Sequence, residues 1–70
     1  MNTKLLNVEM ILHGDNQGTL AEALGISRPS LSAKIHGKRD FSQSEILFIK
    51  NRYNLKAKAV DDIFFSKNVS

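Results

Sequence analysis

The amino-acid sequence predicts an all-α fold of five short helices. Three observations carry the prediction. Apolar residues recur at helical spacing along nearly the whole chain, glycines and polar caps fall between the apolar blocks, and no useful stretch alternates with period two.

The first helix holds Leu5, Leu6, Val8, Met10, Ile11 and Leu12. Its most continuous stripe runs through Leu5, Leu6 and Met10, joined by either Val8 or Ile11. Asn2 or Thr3 is placed to cap it, His13 ends it, and Gly14-Asp15-Asn16 reads as a stop and turn. The second helix starts at Asn16 or Gln17 and sets Leu20, Ala21 and Leu24 on one face. Gly25 closes it, because glycine reaches a left-handed backbone at no steric cost. Ile26 crosses the turn and Ser27 stands where an N-cap belongs.

Leu31 and Ile35, at i and i+4, form the buried edge of the third helix, which Gly37 closes. Pro29 suits its first turn, and the start is open between a Ser27 cap and an Arg28 cap. Lys38-Arg39-Asp40 reads as an exposed loop. Ser42-Gln43-Ser44-Glu45 has the capping-box pattern, with Phe41 and Ile46 spaced as a hydrophobic staple. The fourth helix continues through Leu47 and Ile49, with Tyr53 at its limit and Asn54 as its stop. A fifth, from about Lys56 to Phe65, brings Ala59, Val60, Ile63 and Phe64 together. No linker or repeat divides the chain, so residues 1–70 are read as a single domain.

A chain of 70 residues buries only about 60% of its unfolded surface and is marginally stable alone. There is no cysteine, which removes disulfides and thiolate metal sites, and His13 and His36 lie too far apart for a local metal pair. No metal and no cofactor is expected. Packed helices and oligomerisation are the remaining routes to stability, which makes a homodimer a physical expectation. No apolar run approaches the roughly 18 residues of a membrane span, and the N-terminus lacks the features of a signal peptide, so a cytoplasmic protein is expected.

Ten basic and seven acidic residues give a net charge of +3 and a pI near 9.5. The distribution is more telling than the total. Arg28, Lys34, Lys38 and Arg39 lie between Ser27 and Arg39 with no acid among them, while the rest of the chain is close to neutral. A local basic patch is the footprint of phosphate binding. Two short helices joined by a tight glycine turn cross at a steep angle, and Ala21 supplies the small side chain for a close approach. Such a crossing at residues 17–36 leaves the outer side of the third helix free to enter the major groove of DNA, where each base pair shows a distinct pattern of donors and acceptors.

The string Gln17-x-x-Leu20-Ala21-x-x-Leu24-Gly25-Ile26-Ser27-x-x-x-Leu31-Ser32, followed by Gly37, resembles the Cro/repressor class of phage helix-turn-helix regulators. The segment from Leu31 to Ile46 and the ending Ile63-Phe64-Phe65 are similar to a narrower group, the small regulators of temperate phages of Gram-positive bacteria. The resemblance implies a lambda-repressor-like domain that binds operator DNA as a homodimer and regulates transcription as a Cro-like repressor in the cytoplasm, at the nucleoid of a bacterial host. It places Arg28, Pro29, Ser30, Ser32 and Ala33 toward base edges. It places Gln17 and His36 near phosphates, where Lys34, Lys38 and Arg39 are also expected as positioning charges. One departure stands out: the broader family usually has an apolar residue at the position of Lys34 and a polar one at Ile35, and here the two are exchanged.

Arg28 is the one first-turn residue able to make a bidentate bond to guanine, whereas Pro29, Ser32 and Ala33 discriminate weakly. Part of the specificity then falls to DNA shape and dimer spacing. Phe64 and Phe65 are adjacent and cannot face one way, so one of them is a candidate dimer contact. An alternative reading is a protein-binding modulator, an antirepressor or repressor co-factor, that keeps the fold and acts on a partner repressor. No spaced catalytic set appears, and an enzyme is not expected.

Overall fold

The computed structural model describes residues 1–65, which leaves the last five residues of the predicted domain outside the described part. These residues form α1 (Thr3–Leu12), α2 (Gln17–Leu24), α3 (Arg28–Ile35), α4 (Gln43–Arg52) and α5 (Ala57–Val60), with no strand among them. The short α5 runs on into a wider π-type turn over Asp61–Phe65, so the expected fifth helix is present in two parts. The protein is all-α.

Local chemistry accounts for the helix ends. Asn2, Asn16, Ser27 and Ser42 each accept a backbone N–H of the first turn, which satisfies one of the donors a helix leaves orphaned. Two of these caps are reciprocal. Ser42 and Glu45 close the box read from the sequence, and Asn16 forms a second with Thr19. With Ser27 as the cap, Arg28 is the first residue of α3 and Pro29 the second.

All four longer helices end in the same closure. At the end of α3 the Gly37 amide donates to the Lys34 carbonyl at 3.2 Å and the Lys38 amide to the Ala33 carbonyl at 2.9 Å, with Gly37 at φ +79°. At the end of α4 the left-handed position is taken by Asn54, at φ +53°. Asparagine tolerates that region better than other residues with a Cβ.

One core joins every helix. It contains Leu6 and Met10 of α1, Leu20 and Ala21 of α2, Leu31 and Ile35 of α3, Ile49 and Tyr53 at the end of α4, and Leu55, Val60 and Ile63 beyond it. Leu24, Ile26, Phe41 and Ile46 pack against its margin. In α1 the buried pair is Leu6 and Met10, at i and i+4, and the expected stripe is corrected at Leu5, which faces solvent with Val8 and Leu12; Ile11 is 74% exposed. Leu47 in α4 likewise points outward at 55% exposure, with Ile49 and Tyr53 forming the inner side. Among the described residues no helix is long and apolar enough to cross a membrane.

Polar bonds fasten the corner between α1 and α2. The Asp15 carboxylate accepts Arg52 Nε at 2.7 Å, Arg52 Nη2 at 2.9 Å, the Tyr53 hydroxyl at 2.7 Å and Thr19 Oγ1 at 2.8 Å. Its side chain is only 5% exposed. The Arg52 guanidinium holds the Asp15 carboxyl well below the usual carboxylate range, with Tyr53 and Thr19 assisting against the opposing effect of burial. Burial and then the neighbouring Asp15 charge push the Tyr53 hydroxyl up, so it stays a donor. His13 stacks on Tyr53 with ring centroids 4.8 Å apart. The first end of the chain is tied down as well. The Asn2 amide donates to the Ile63 carbonyl at 2.7 Å, and Thr3 Oγ1 to the Ile35 carbonyl at 2.8 Å.

Candidate nucleic-acid interface

The site is built on α3, and its foundation is apolar. Leu31 and Ile35 are buried against α2, where Leu20 and Ala21 receive them, so α3 is anchored along one edge. Gly25, at φ +75°, and the Ile26 amide bonded to the Ala21 carbonyl at 3.0 Å turn the chain between the two helices in three residues. Ser27 Oγ accepts the Ser30 amide at 3.2 Å and fixes where α3 begins.

The other side of α3 is turned to solvent. Arg28 and Pro29 are exposed; Ser30, Ser32 and Ala33 are half-buried. Arg28 forms no side-chain hydrogen bond or ion pair among the described residues, and neither does Lys38 in the loop beyond. Gln17, the first residue of α2, is half-buried and free of side-chain bonds on the same terms. The structure thus brings the five residues expected at base edges onto one short helix.

Lys34 has a different role from the one expected. Its Nζ donates to Glu45 Oε1 at 2.6 Å, and both side chains are largely covered, at 14% and 15% exposure. The same Glu45 oxygen accepts the Ser42 amide at 2.9 Å, so ion pair and capping box share one acceptor. Burial pushes the Glu45 carboxyl up, but Lys34 and the Ser42 bonds outweigh it, and the net shift is downward. The Lys34 ammonium also lies 6.0 Å from the centre of the Phe41 ring. Lys34 is therefore spent on joining α3 to α4 and is no free phosphate-facing cation. Ile35 takes the core position, and the long side chain at 34 reaches the start of α4 with its charge neutralised.

His36 caps the end of α3 and is exposed. Its Nδ1 lies 2.8 Å from the Ser32 carbonyl, which can only accept, so Nδ1 carries the hydrogen. In the neutral ring Nε2 is then an acceptor, and His36 gains a second donor for a phosphate only when protonated. Arg39 is exposed, and its Nη1 reaches Ser30 Oγ at 3.5 Å.

The two aromatic candidates divide as adjacency requires. Phe64 is half-buried and meets Phe41 edge-on, with centroids 5.4 Å apart, so it belongs to the packing between the residues before α4 and the π-type turn. Phe65 is 60% exposed and remains the outward one. Both border an open hollow with Met1, Phe41, Ile46 and Arg39.

Sequence reasoning missed Asp15, Arg52 and Glu45 as partners. The pairs join residues 37 and 11 positions apart, beyond any local pattern. Comparison with protein-family models, with characterised proteins and with solved structures finds no match.

Proposed function

We propose that this protein is a sequence-specific DNA-binding transcriptional regulator, a lambda-repressor-like domain acting as a Cro-like repressor. It binds operator DNA as a homodimer with α3 in the major groove, at the nucleoid of a bacterial host. One observation carries the reading. An N-capped helix, anchored by Leu31 and Ile35, turns an exposed Arg28 and Pro29 outward while the neighbouring Lys34 is neutralised internally. The charges that join elements of the fold are paired, and Arg28 and Lys38 have no such partner among the described residues. Arg28 is the principal reader, bidentate to guanine O6 and N7, with Pro29, Ser32 and Ala33 allowing close approach. The described residues measure 27 Å at their widest, a scale that suits two copies on half-sites one helical turn, ~34–36 Å, apart.

A second reading is favoured by a separate observation. Leu5, Val8, Ile11 and Leu12 expose an apolar side of α1 that no described residue covers. Such a surface suits a modulator that binds a partner repressor.

Electrophoretic shifts against random and phage-promoter duplexes separate the two. The DNA reading expects a sequence-selective band that weakens steeply with salt and loses discrimination at one base pair in Arg28→Ala. A band that is absent, or equal on all sequences, favours the modulator.

A further inference from the structure

The outward stripe of α3 is short of reading groups, since Pro29 offers a ring and Ala33 a methyl. The connection after the helix supplies another. Closure at Gly37 folds the chain back so that the amides of Lys38 and Arg39 both donate to the Ala33 carbonyl, at 2.9 and 3.3 Å. This roots Arg39 beside the last turns of α3. Its side chain then runs toward the start of the helix, bringing Nη1 to within 3.5 Å of Ser30 Oγ, nine residues earlier in the chain.

Ser30 is itself held in place, because the Ser27 hydroxyl donates to its Oγ at 2.9 Å. Ser30 and Ala33, at i and i+3, share one side of α3. The Arg39 guanidinium therefore lies along the margin of the stripe that carries Pro29 and Ala33. A single contact from Nη1 leaves donors on Nη2 and Nε unused, and a bidentate bond needs two. Lys34, the other cation rooted on α3 near that margin, is committed to Glu45.

We propose that Arg39 is a second reader of bases, a guanidinium carried on the loop and laid against α3, and that Ser30 is its positioning residue. The group it would recognise is the O6/N7 edge of a guanine in the major groove, at a base pair distinct from that read by Arg28. This inference rests on the DNA-binding reading above and assigns Arg39 to base edges in place of the phosphate role expected for it.

The test uses the full chain and the duplex that the wild type enriches from a random pool. Affinities for that duplex and for every single-base-pair change in it are measured by fluorescence anisotropy at two salt concentrations. Wild type, Arg39→Lys, Ser30→Ala and Arg28→Ala are compared, with thermal unfolding of each as a check on the fold. Lysine keeps the charge but not the two-pronged geometry. Arg39→Lys is expected to keep the salt slope and lose roughly ten-fold discrimination at one base pair of each half-site. Ser30→Ala relaxes the same base pair in part, and Arg28→Ala relaxes a different one. An Arg39→Lys variant that discriminates as the wild type does makes Arg39 a phosphate contact and overturns the proposal. If the wild type enriches no sequence at all, the DNA-binding reading fails first, and this inference fails with it.

Discussion

At the corner between α1 and α2, the carboxylate of Asp15 receives four hydrogen bonds and is almost withdrawn from solvent. On the outer side of α3, Arg28 stands exposed, and its guanidinium donates to no described residue. Both regions are polar and both follow a tight turn, yet they use polarity in opposite ways. The corner employs charge as a fastener, in a chain too small for its apolar core to carry the whole burden of stability. The outer side of α3 keeps its charge uncommitted. On a small helical domain, an arginine at the start of an anchored helix that has no partner among the described residues says more than the number of basic residues nearby.

The contrast breaks most visibly if the fastener is removed. Asp15→Ala leaves the Tyr53 hydroxyl and the Arg52 guanidinium without their acceptor, and is expected to cost about 2–4 kcal/mol of unfolding free energy. Urea denaturation measures this. The base preference of whatever fraction remains folded should be unchanged, and a changed preference would mean that the corner shapes the reading helix directly.

Acid probes the same fastener without mutation. The folded-state pKa values of Asp15 and Glu45 are both depressed. A depressed carboxyl contributes stability that is fully present above its unfolded pKa, near 4 for such groups, and is lost as pH falls through the lower folded value. Unfolding free energy followed by circular dichroism should therefore fall progressively once the pH drops below about 4. In Asp15→Ala that acid dependence should be shallower, and an identical profile in variant and wild type would remove Asp15 from the account.

A smaller effect sharpens the division among the lysines. Lys38→Ala should weaken binding to all duplexes alike and reduce the salt slope by about 1. Lys34→Met should leave that slope as it is, because the Lys34 charge is already matched by Glu45. It should instead lower the unfolding free energy, because removing one partner of a well-covered pair leaves the Glu45 carboxylate without its cation. Equal salt slopes for the two variants would place Lys34 on phosphate after all.

How far these regions were legible in the sequence follows from the range of the interactions. Caps and closures act over three to six residues, so Ser27, Gly25, Gly37 and the Ser42–Glu45 box were readable in place. The Leu31–Ile35 edge was readable too, because these are the two large aliphatic residues of α3 and stand at helical spacing. In α1 the abundance of apolar residues hid the answer. Leu5, Leu6, Val8, Met10, Ile11 and Leu12 surround the helix, and only packing selects Leu6 with Met10. Asp15 looked like a turn residue, and it is one, but its second role depends on Arg52 arriving from α4. Lys34 was legible as a charge beside the buried edge, and its pairing required the position of Glu45. The outward positions of α3 were legible as a set; the leaning of Arg39 onto Ser30 was not.

Selection by the wild-type protein from a random duplex pool, followed by the salt dependence of the enriched duplex, decides whether the outer side of α3 reads DNA as proposed. The expected product is a two-fold symmetric site whose half-sites lie one helical turn apart, each with a guanine that Arg28→Ala ceases to require. A pool that stays random after repeated rounds, with weak binding to every duplex alike, would contradict it.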